Sequence, residues 1–451
     1  MPRKTAENVE TIPVGPLGII AMPGCEALCD KIDKYLVKWR ANQASEHQQN
    51  IAFYGYQRDT YKVNVSLPRF GSGEAKGVVN ESVRGFDLYI ITDVFNYSCT
   101  YNMYGMEVPM SPDDHYADLK RVISAISGKA KRITILMPML YEGRQHKRSS
   151  RESLDCALAL QELVNLGVDN IMTFDAHDKR VQNAIPNGSF ENIMPTYQMI
   201  KSLVNSVEDL HVDKDHLMVI SPDEGALHRC IYFATQLGVN LGMFYKRRDY
   251  TRVVNGRNPI VEHQYLGDSV EGKDIIIVDD MISSGESMLE VCSKLKGLKA
   301  GRIFVCTTFG LFCNGLEVFD EAYKNGTFYR VFTTNGVYQT PELLSRDWYE
   351  SVDLSKYTAY FLDTLNHDMS VSSLLDCSDK IEKILIKKGL KEEKKYEREK
   401  RKEFQADRCA KEADHRHCLC PAGTIAHRRR HLLRRNGSKS KGSRRWSLYA
   451  P

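Results

Sequence analysis

Apolar positions along the chain recur in two rhythms. Short runs of mostly β-branched residues read as buried strands, and stretches with apolar residues three and four apart read as amphipathic helices. In the first half the pattern predicts strands near Asp87–Asp93, Arg132–Pro138 and Asn170–Asp175. A helix is predicted over Arg151–Gly167, with Leu154, Leu158, Leu163 and Leu166 as its apolar stripe. In the second half strands fall near Leu217–Ser221, Leu241–Tyr245, Asp274–Val278 and Gly301–Thr307, with helices after Asp223, Ser284 and Gly315. Strands alternating with helices predict an α/β fold built on mostly parallel sheets, in two tandem halves divided near Met194–Tyr197.

Charge adds a third region to this picture. The net charge of +4 hides 23 Lys/Arg against 9 Asp/Glu from Lys380 onward, and 39 against 49 before it. Lys387 to Lys411 reads as a mixed-charge helical stretch, and the last thirty or so residues as a basic, disordered tail. The expected organisation is therefore 12–196, 197–375, a charged helical extension at 376–411 and a basic tail at 412–451. Arginines without interleaved aromatics, as at Arg428–Arg430, give only nonspecific attraction to phosphate, so no specific nucleic-acid partner is expected. The tail's Cys418 and Cys420 are spaced too tightly for the usual zinc arrangement. Twelve scattered cysteines suit reduced thiols. The start lacks an apolar signal core, and no run reaches the ~18 apolar residues of a membrane span. A cytoplasmic protein without a membrane partner is expected.

The densest candidate chemistry follows the run Ile275–Val278. Asp279 and Asp280 can accept hydrogen bonds from a sugar diol or hold a cation. Ser283, Ser284, Gly285, Glu286 and Ser287 then form a small, hydroxyl-rich turn at a helix N-terminus, where backbone N–H groups favour an anion. A sugar phosphate suits that combination, and a solvated strand end with a helix cap is the plainer alternative. Three more clusters end strands. Asp223 can ligate a metal or cap its helix. His177, between Asp175 and Asp178, is a metal ligand or a structural imidazole. Lys246 and Arg248, within Tyr245-Lys246-Arg247-Arg248, either stabilise charge on a transferred phosphoryl group or form a solvated loop.

Taken in order, these clusters resemble the ribose-phosphate diphosphokinase (phosphoribosyl diphosphate, PRPP, synthetase) family over roughly Pro13 to Leu375. Glu81-Ser82-Val83-Arg84-Gly85-Phe86-Asp87-Leu88-Tyr89-Ile90 and Arg144-Gln145 with Lys147 and Arg148 strengthen the resemblance. It implies two phosphoribosyltransferase-like domains and transfer of the β,γ-diphosphoryl group of ATP to the 1-hydroxyl of ribose 5-phosphate, giving PRPP and AMP. Arg144 and Gln145 would contact ATP. The loop Phe70-Gly71-Ser72-Gly73-Glu74 would receive adenine through Phe70, Ser72 and Glu74, from a neighbouring subunit of a homo-oligomer assembled as dimers into a hexamer. His177 and Asp223 would hold Mg²⁺, Lys246 and Arg248 would be catalytic, and Asp279, Asp280 and Ser283 to Ser287 would bind ribose 5-phosphate.

The sequence departs from that pattern in places. Ser283 stands where many members carry aspartate, Glu286 puts a negative charge in a phosphate loop, and Asp175-Ala176-His177-Asp178 replaces the usual Asp-Leu-His-Ala. Ser72 stands where an amide or acid is usual, and Phe95 to His115 is longer than the family's usual connection. Two other classes remain alongside the enzyme: a catalytically silent regulatory subunit of the same family, and a phosphoribosyltransferase that consumes PRPP.

Overall fold

Period-two alternation gives each strand two apolar faces, and both sheets use both faces. The computed structural model describes residues 11–41, 53–248 and 260–391. The first sheet holds β1 (Leu17–Ala21), β2 (Asp87–Ile91), β3 (Arg132–Leu136), β4 (Asn170–Phe174) and β5 (Ser189–Ile193), in that order and all parallel. Leu88, Ile90, Ile133 and Ile135 face helices Pro112–Ile126 and Asp155–Asn165. Tyr89, Ile91, Leu136 and Met172 face helix Glu26–Ala41 and, from the other end of the chain, helix Ser355–Asn366. The buried Arg40 ties those two helices together, donating to Asp363 Oδ1 at 2.8 Å and Asn366 Oδ1 at 2.8 Å.

The second sheet comprises β6 (Leu217–Ser221), β7 (Asn240–Arg248), β8 (Ile260–Leu266), β9 (Asp274–Ile282), β10 (Ile303–Gly310), β11 (Arg330–Thr334) and β12 (Tyr349–Val352). Its order is β8-β7-β6-β9-β10-β11-β12, parallel except for the β7/β8 pair. The chain leaves β6 toward one edge and resumes with β9 on the other side. That makes the carboxyl ends of β6 and β9 a topological switch point, where open α/β sheets place ligands. Helices Thr196–Ser206, Leu227–Leu237 and Ser378–Lys387 cover one face, and Glu286–Gly297 and Glu317–Lys324 the other.

Several elements differ from the sequence pattern. The helix expected over Arg151–Gly167 spans only Asp155–Asn165, and its buried face is Cys156, Ala159, Leu160 and Leu163. Leu158 and Leu166 are exposed, because Leu158 lies about 140° around the helix from the buried Leu163 and Leu166 falls just past the helix end. Strand β9 does not stop at Val278 but runs through both acids to Ile282. Its extension pairs with β10, Met281 opposite Phe309, and these two side chains pack into the core of the first half. Helix Ser378–Lys387, which the sequence pattern assigns to a charged extension, buries Ile381 and Leu385 in the core of the second sheet. Among the described residues the cysteines are all free, and no helix is long and apolar enough to cross a membrane. The basic tail, with Cys418 and Cys420, lies outside the described residues.

Candidate functional site

Strand β4 of the first sheet ends facing the switch point of the second. Its next residue, Asp175, has φ of 39°, a left-handed conformation that aspartate tolerates better than most side chains. Two hydrogen bonds hold the turn, from Asp175 N to Ile193 O at 3.0 Å and from Ala176 N to Asn192 Oδ1 at 2.8 Å. The buried Asp175 carboxylate thereby meets the second half. Thr308 Oγ1 donates to it at 2.7 Å, and Arg229 Nε and Nη2 each at 3.2 Å.

Arg229 sits in the first turn of helix Leu227–Leu237 and reaches further acids. Its Nη1 donates to Asp279 Oδ1 at 3.4 Å and lies 3.8 Å from Asp280 Oδ1. On its other side Asp280 Oδ2 accepts from His177 Nδ1 at 2.6 Å. One guanidinium thus joins three carboxylates from two sheets, and one imidazole closes the chain of contacts. Successive residues of a strand point to opposite faces, so the two acids differ in environment. Burial opposes charge on Asp280, yet the His177 hydrogen bond and the Arg229 cation outweigh it and hold its carboxyl below the ordinary range. Burial and then Asp280's charge push the Asp279 carboxyl well above its ordinary value. The Asp280 hydrogen bond raises His177 above the ordinary histidine value.

Next to this network lies a cleft of about 140 Å³ lined by Arg144, His177 and Asp280, with Phe95, Met139 and Phe309 among its apolar walls. Of the neighbours Arg144 and Gln145, only Arg144 lines this cleft. Gln145 turns back, its amide donating to Ser153 O at 2.9 Å. Asp223 Oδ1 accepts from Gly225 N at 2.9 Å and Ala226 N at 3.2 Å, in the turn ahead of helix Leu227–Leu237, which has no side-chain cap of its own, and its charge adds to the pressure on Asp279.

The turn Ser283–Ser287 is held more loosely. Ser283 O accepts from Cys313 N at 2.9 Å, and Gly285 has φ of 89° with no room for a Cβ against the Phe319 ring. Helix Glu286–Gly297 follows with no side-chain cap, so its first-turn N–H groups suit an anion. The Glu286 carboxylate accepts from Asn314 Nδ2 at 3.4 Å. Lys246 and Arg248 belong to the last three residues of β7, opposite His263 and Ile260; their side chains lie outside what is described. The loop of Phe70, Ser72 and Glu74 is not brought to this cleft. It is exposed at Phe70, with Ser72 Oγ donating to Glu74 Oε2 at 2.9 Å.

The N-terminal domain of ribose phosphate pyrophosphokinase matches residues 17–167, and the phosphoribosyl transferase domain matches 187–343. The chain belongs to the ribose-phosphate pyrophosphokinase family. The protein of that name from Vibrio parahaemolyticus is 27% identical over 317 residues, 69% of this chain and 91% of the relative. That from Shewanella oneidensis is 29% identical over 311 residues, covering 68% and 89%. The crystal structure of phosphoribosylpyrophosphate synthetase from Mycobacterium smegmatis shares the fold, with a TM-score of 0.61 at 20% identity, covering 78% of this chain and 99% of that one.

For a family associated with Mg²⁺, the donor set is sparse. Among the described residues no three His, Cys, Asp or Glu side chains converge on a metal position. His177 still fits a ligand's role, because a carboxylate on Nδ1 fixes the ring and leaves Nε2 for coordination. Mg²⁺ needs few protein ligands when phosphates and water supply the rest. Sequence reasoning gave no role to Arg229. The available signal was its place one turn before Phe233, a cation on the buried face of an amphipathic helix.

Proposed function

We propose that this pyrophosphokinase-family chain is a working ribose-phosphate diphosphokinase, moving the β,γ-diphosphoryl group of ATP to the 1-hydroxyl of ribose 5-phosphate. The observation that carries this reading is the cleft at the junction of the two sheets, where Arg144 and His177 from the first half meet Asp280 from the second. A phosphoribosyltransferase needs no counterpart to the first half. Attack at the β-phosphorus loads charge on phosphate oxygens, so the reaction asks mainly for positioning and electrostatic stabilisation. Arg144 binds the triphosphate, and Asp279, Asp280 and the Ser283–Ser287 turn bind the sugar and its 5-phosphate. Lys246 and Arg248 follow the phosphoryl charge as it moves, Arg248 bidentately. Mg²⁺, when bound at His177 and Asp223, neutralises part of the triphosphate charge. Phe70, Ser72 and Glu74 receive adenine in a second copy of the chain, within dimers that build a hexamer. The free cysteines suit a cytoplasmic setting.

The test is ³¹P NMR of purified protein with ATP, Mg²⁺ and ribose 5-phosphate. Equal amounts of AMP and PRPP are expected, and Lys246→Ala should cut turnover by about 10²–10³-fold while leaving the fold intact. Ribose 5-phosphate binding without PRPP would instead identify a silent regulatory subunit, a reading favoured by Ser283 in place of the common aspartate.

A further inference from the structure

Between β2 and helix Pro112–Ile126 the chain inserts a hairpin, Thr100–Met103 paired with Met106–Pro109. It packs on the Phe70–Glu74 loop. Tyr104 N, at the hairpin tip, donates to Gly71 O at 2.8 Å, and a Cβ on Gly73 would strike Met103 Sδ at 2.8 Å. The Tyr101 ring lies 4.4 Å from the Arg69 guanidinium carbon, and its hydroxyl donates to Asp114 Oδ1 at 3.3 Å. Arg69 in turn donates to the buried Asp118 at 2.7 Å and to Gly73 O at 3.4 Å. The guanidinium is therefore fixed on one side by an aromatic face and on another by a carboxylate, and it holds the loop's backbone at Gly73.

Within the loop, Phe70 N donates to Glu74 O at 2.7 Å and Gly73 N to Phe70 O at 2.9 Å. The backbone is thus closed on itself while Phe70 stays more than half exposed. A rigid backbone presenting an exposed aromatic ring and a carboxylate is preorganised for a planar base with an amino group. Taking this loop as the adenine receiver, as proposed above, we infer that Tyr101 and Arg69 are positioning residues. They set the geometry of Phe70 and Glu74 and thereby the affinity for ATP, without touching the nucleotide.

Tyr101→Ala removes the aromatic face but leaves Asp118 paired with Arg69 and with Arg121, whose Nη1 is 2.6 Å away. Hydrogen exchange in the 68–76 peptide should accelerate. The KM for ATP should rise about five-fold, as loss of one cation–π contact allows, while the KM for ribose 5-phosphate and kcat at saturation stay unchanged. Tyr101→Phe, which keeps the ring, should restore both exchange and KM. Unchanged exchange in Tyr101→Ala, or an equal rise in both KM values, overturns the positioning role. Phe70→Ala separates the layers. A loop loosened by Tyr101→Ala together with an ATP KM untouched by Phe70→Ala would overturn the adenine assignment, and with it the effect on ATP, while leaving the brace itself intact.

Discussion

The knot between the sheets and the turn that follows β9 meet in sequence at Asp280 and Ser283, and they are built on opposite principles. In the knot, Asp175, Thr308, Arg229, Asp280 and His177 satisfy one another, and Arg229 is mostly buried with 9% of its side chain exposed. In the turn, Ser283 to Ser287 find few side-chain partners among the described residues, and the helix they open has no side-chain cap. Charges inside protein are expensive unless paired, so the knot must be complete before any ligand arrives. A phosphate loop has to leave its donors available. The difference separates a knot that joins the two halves, and that meets the cleft through Asp175, His177 and Asp280, from a turn left open to an anion, and it predicts that mutations in the two places will fail in different ways.

The largest effect is expected at Arg229. Arg229→Met keeps much of the side chain's volume and leaves three carboxylates without their common cation. Breaking one side of a buried ion pair typically costs about 3–5 kcal/mol, and urea denaturation should register a loss of that size together with loss of activity. Arg229→Lys should recover little, because a single ammonium nitrogen cannot stand both where Nε and Nη2 meet Asp175 and where Nη1 meets Asp279. A stability loss below 1 kcal/mol for the methionine variant would mean that the knot does not hold the halves together.

The turn should break differently. Gly285→Ala places a methyl group against the Phe319 ring at a φ of 89°. Crowding and backbone strain of this kind cost about 1–3 kcal/mol, so the protein should remain folded. Ribose 5-phosphate affinity should nevertheless collapse in calorimetry, since the backbone N–H groups move. Intact affinity in a folded Gly285→Ala protein would remove this turn from the sugar-phosphate site and erase the contrast with the knot.

Much of the fold was legible in the sequence because alternation and helical spacing report burial directly. The acid pair was legible for the opposite reason, as an interruption of that alternation. What could not be read is where the interruption ends. Asp is a poor strand residue, so the sequence pattern ends β9 at Val278, whereas the strand continues with Arg229 and His177 pairing the acids from distant parts of the chain. The helix at Asp155–Asn165 teaches a related lesson. Four leucines suggested its apolar stripe, yet two are exposed, and the smaller Cys156 and Ala159 take core positions. Strand β5, with only Phe190 and Ile193 apolar, and the core face of the charged Ser378–Lys387 helix, with Ile381 and Leu385, offered too few apolar positions to stand out. The direction of the Gln145 side chain has no local sequence signal, because a hydrogen bond to the backbone of Ser153 sets it.

The smallest expected effect probes the link between knot and cleft. The His177 ring is 39% exposed at its side chain, so its pairing with Asp280 contributes only modestly to stability. It should still be visible by NMR of the metal-free protein, where the ring protons should titrate above the ordinary histidine value of 6.5. The signs follow from the two directions of shift. A histidine raised in the folded state contributes stability that is complete below 6.5 and lost as pH rises through its folded value. A carboxyl lowered in the folded state, as for Asp280, contributes stability that is present above 3.8 and lost as pH falls through its folded value. The pair is therefore worth most between those limits. Asp280→Asn should lower the His177 titration and narrow the stability difference from wild type at both ends of that window. It should also lower the Asp279 carboxyl, which burial and then Asp280's charge push up. A His177 titration unmoved by Asp280→Asn would mean that the imidazole is oriented by something other than the knot, and the cleft would then owe its geometry to the first half alone.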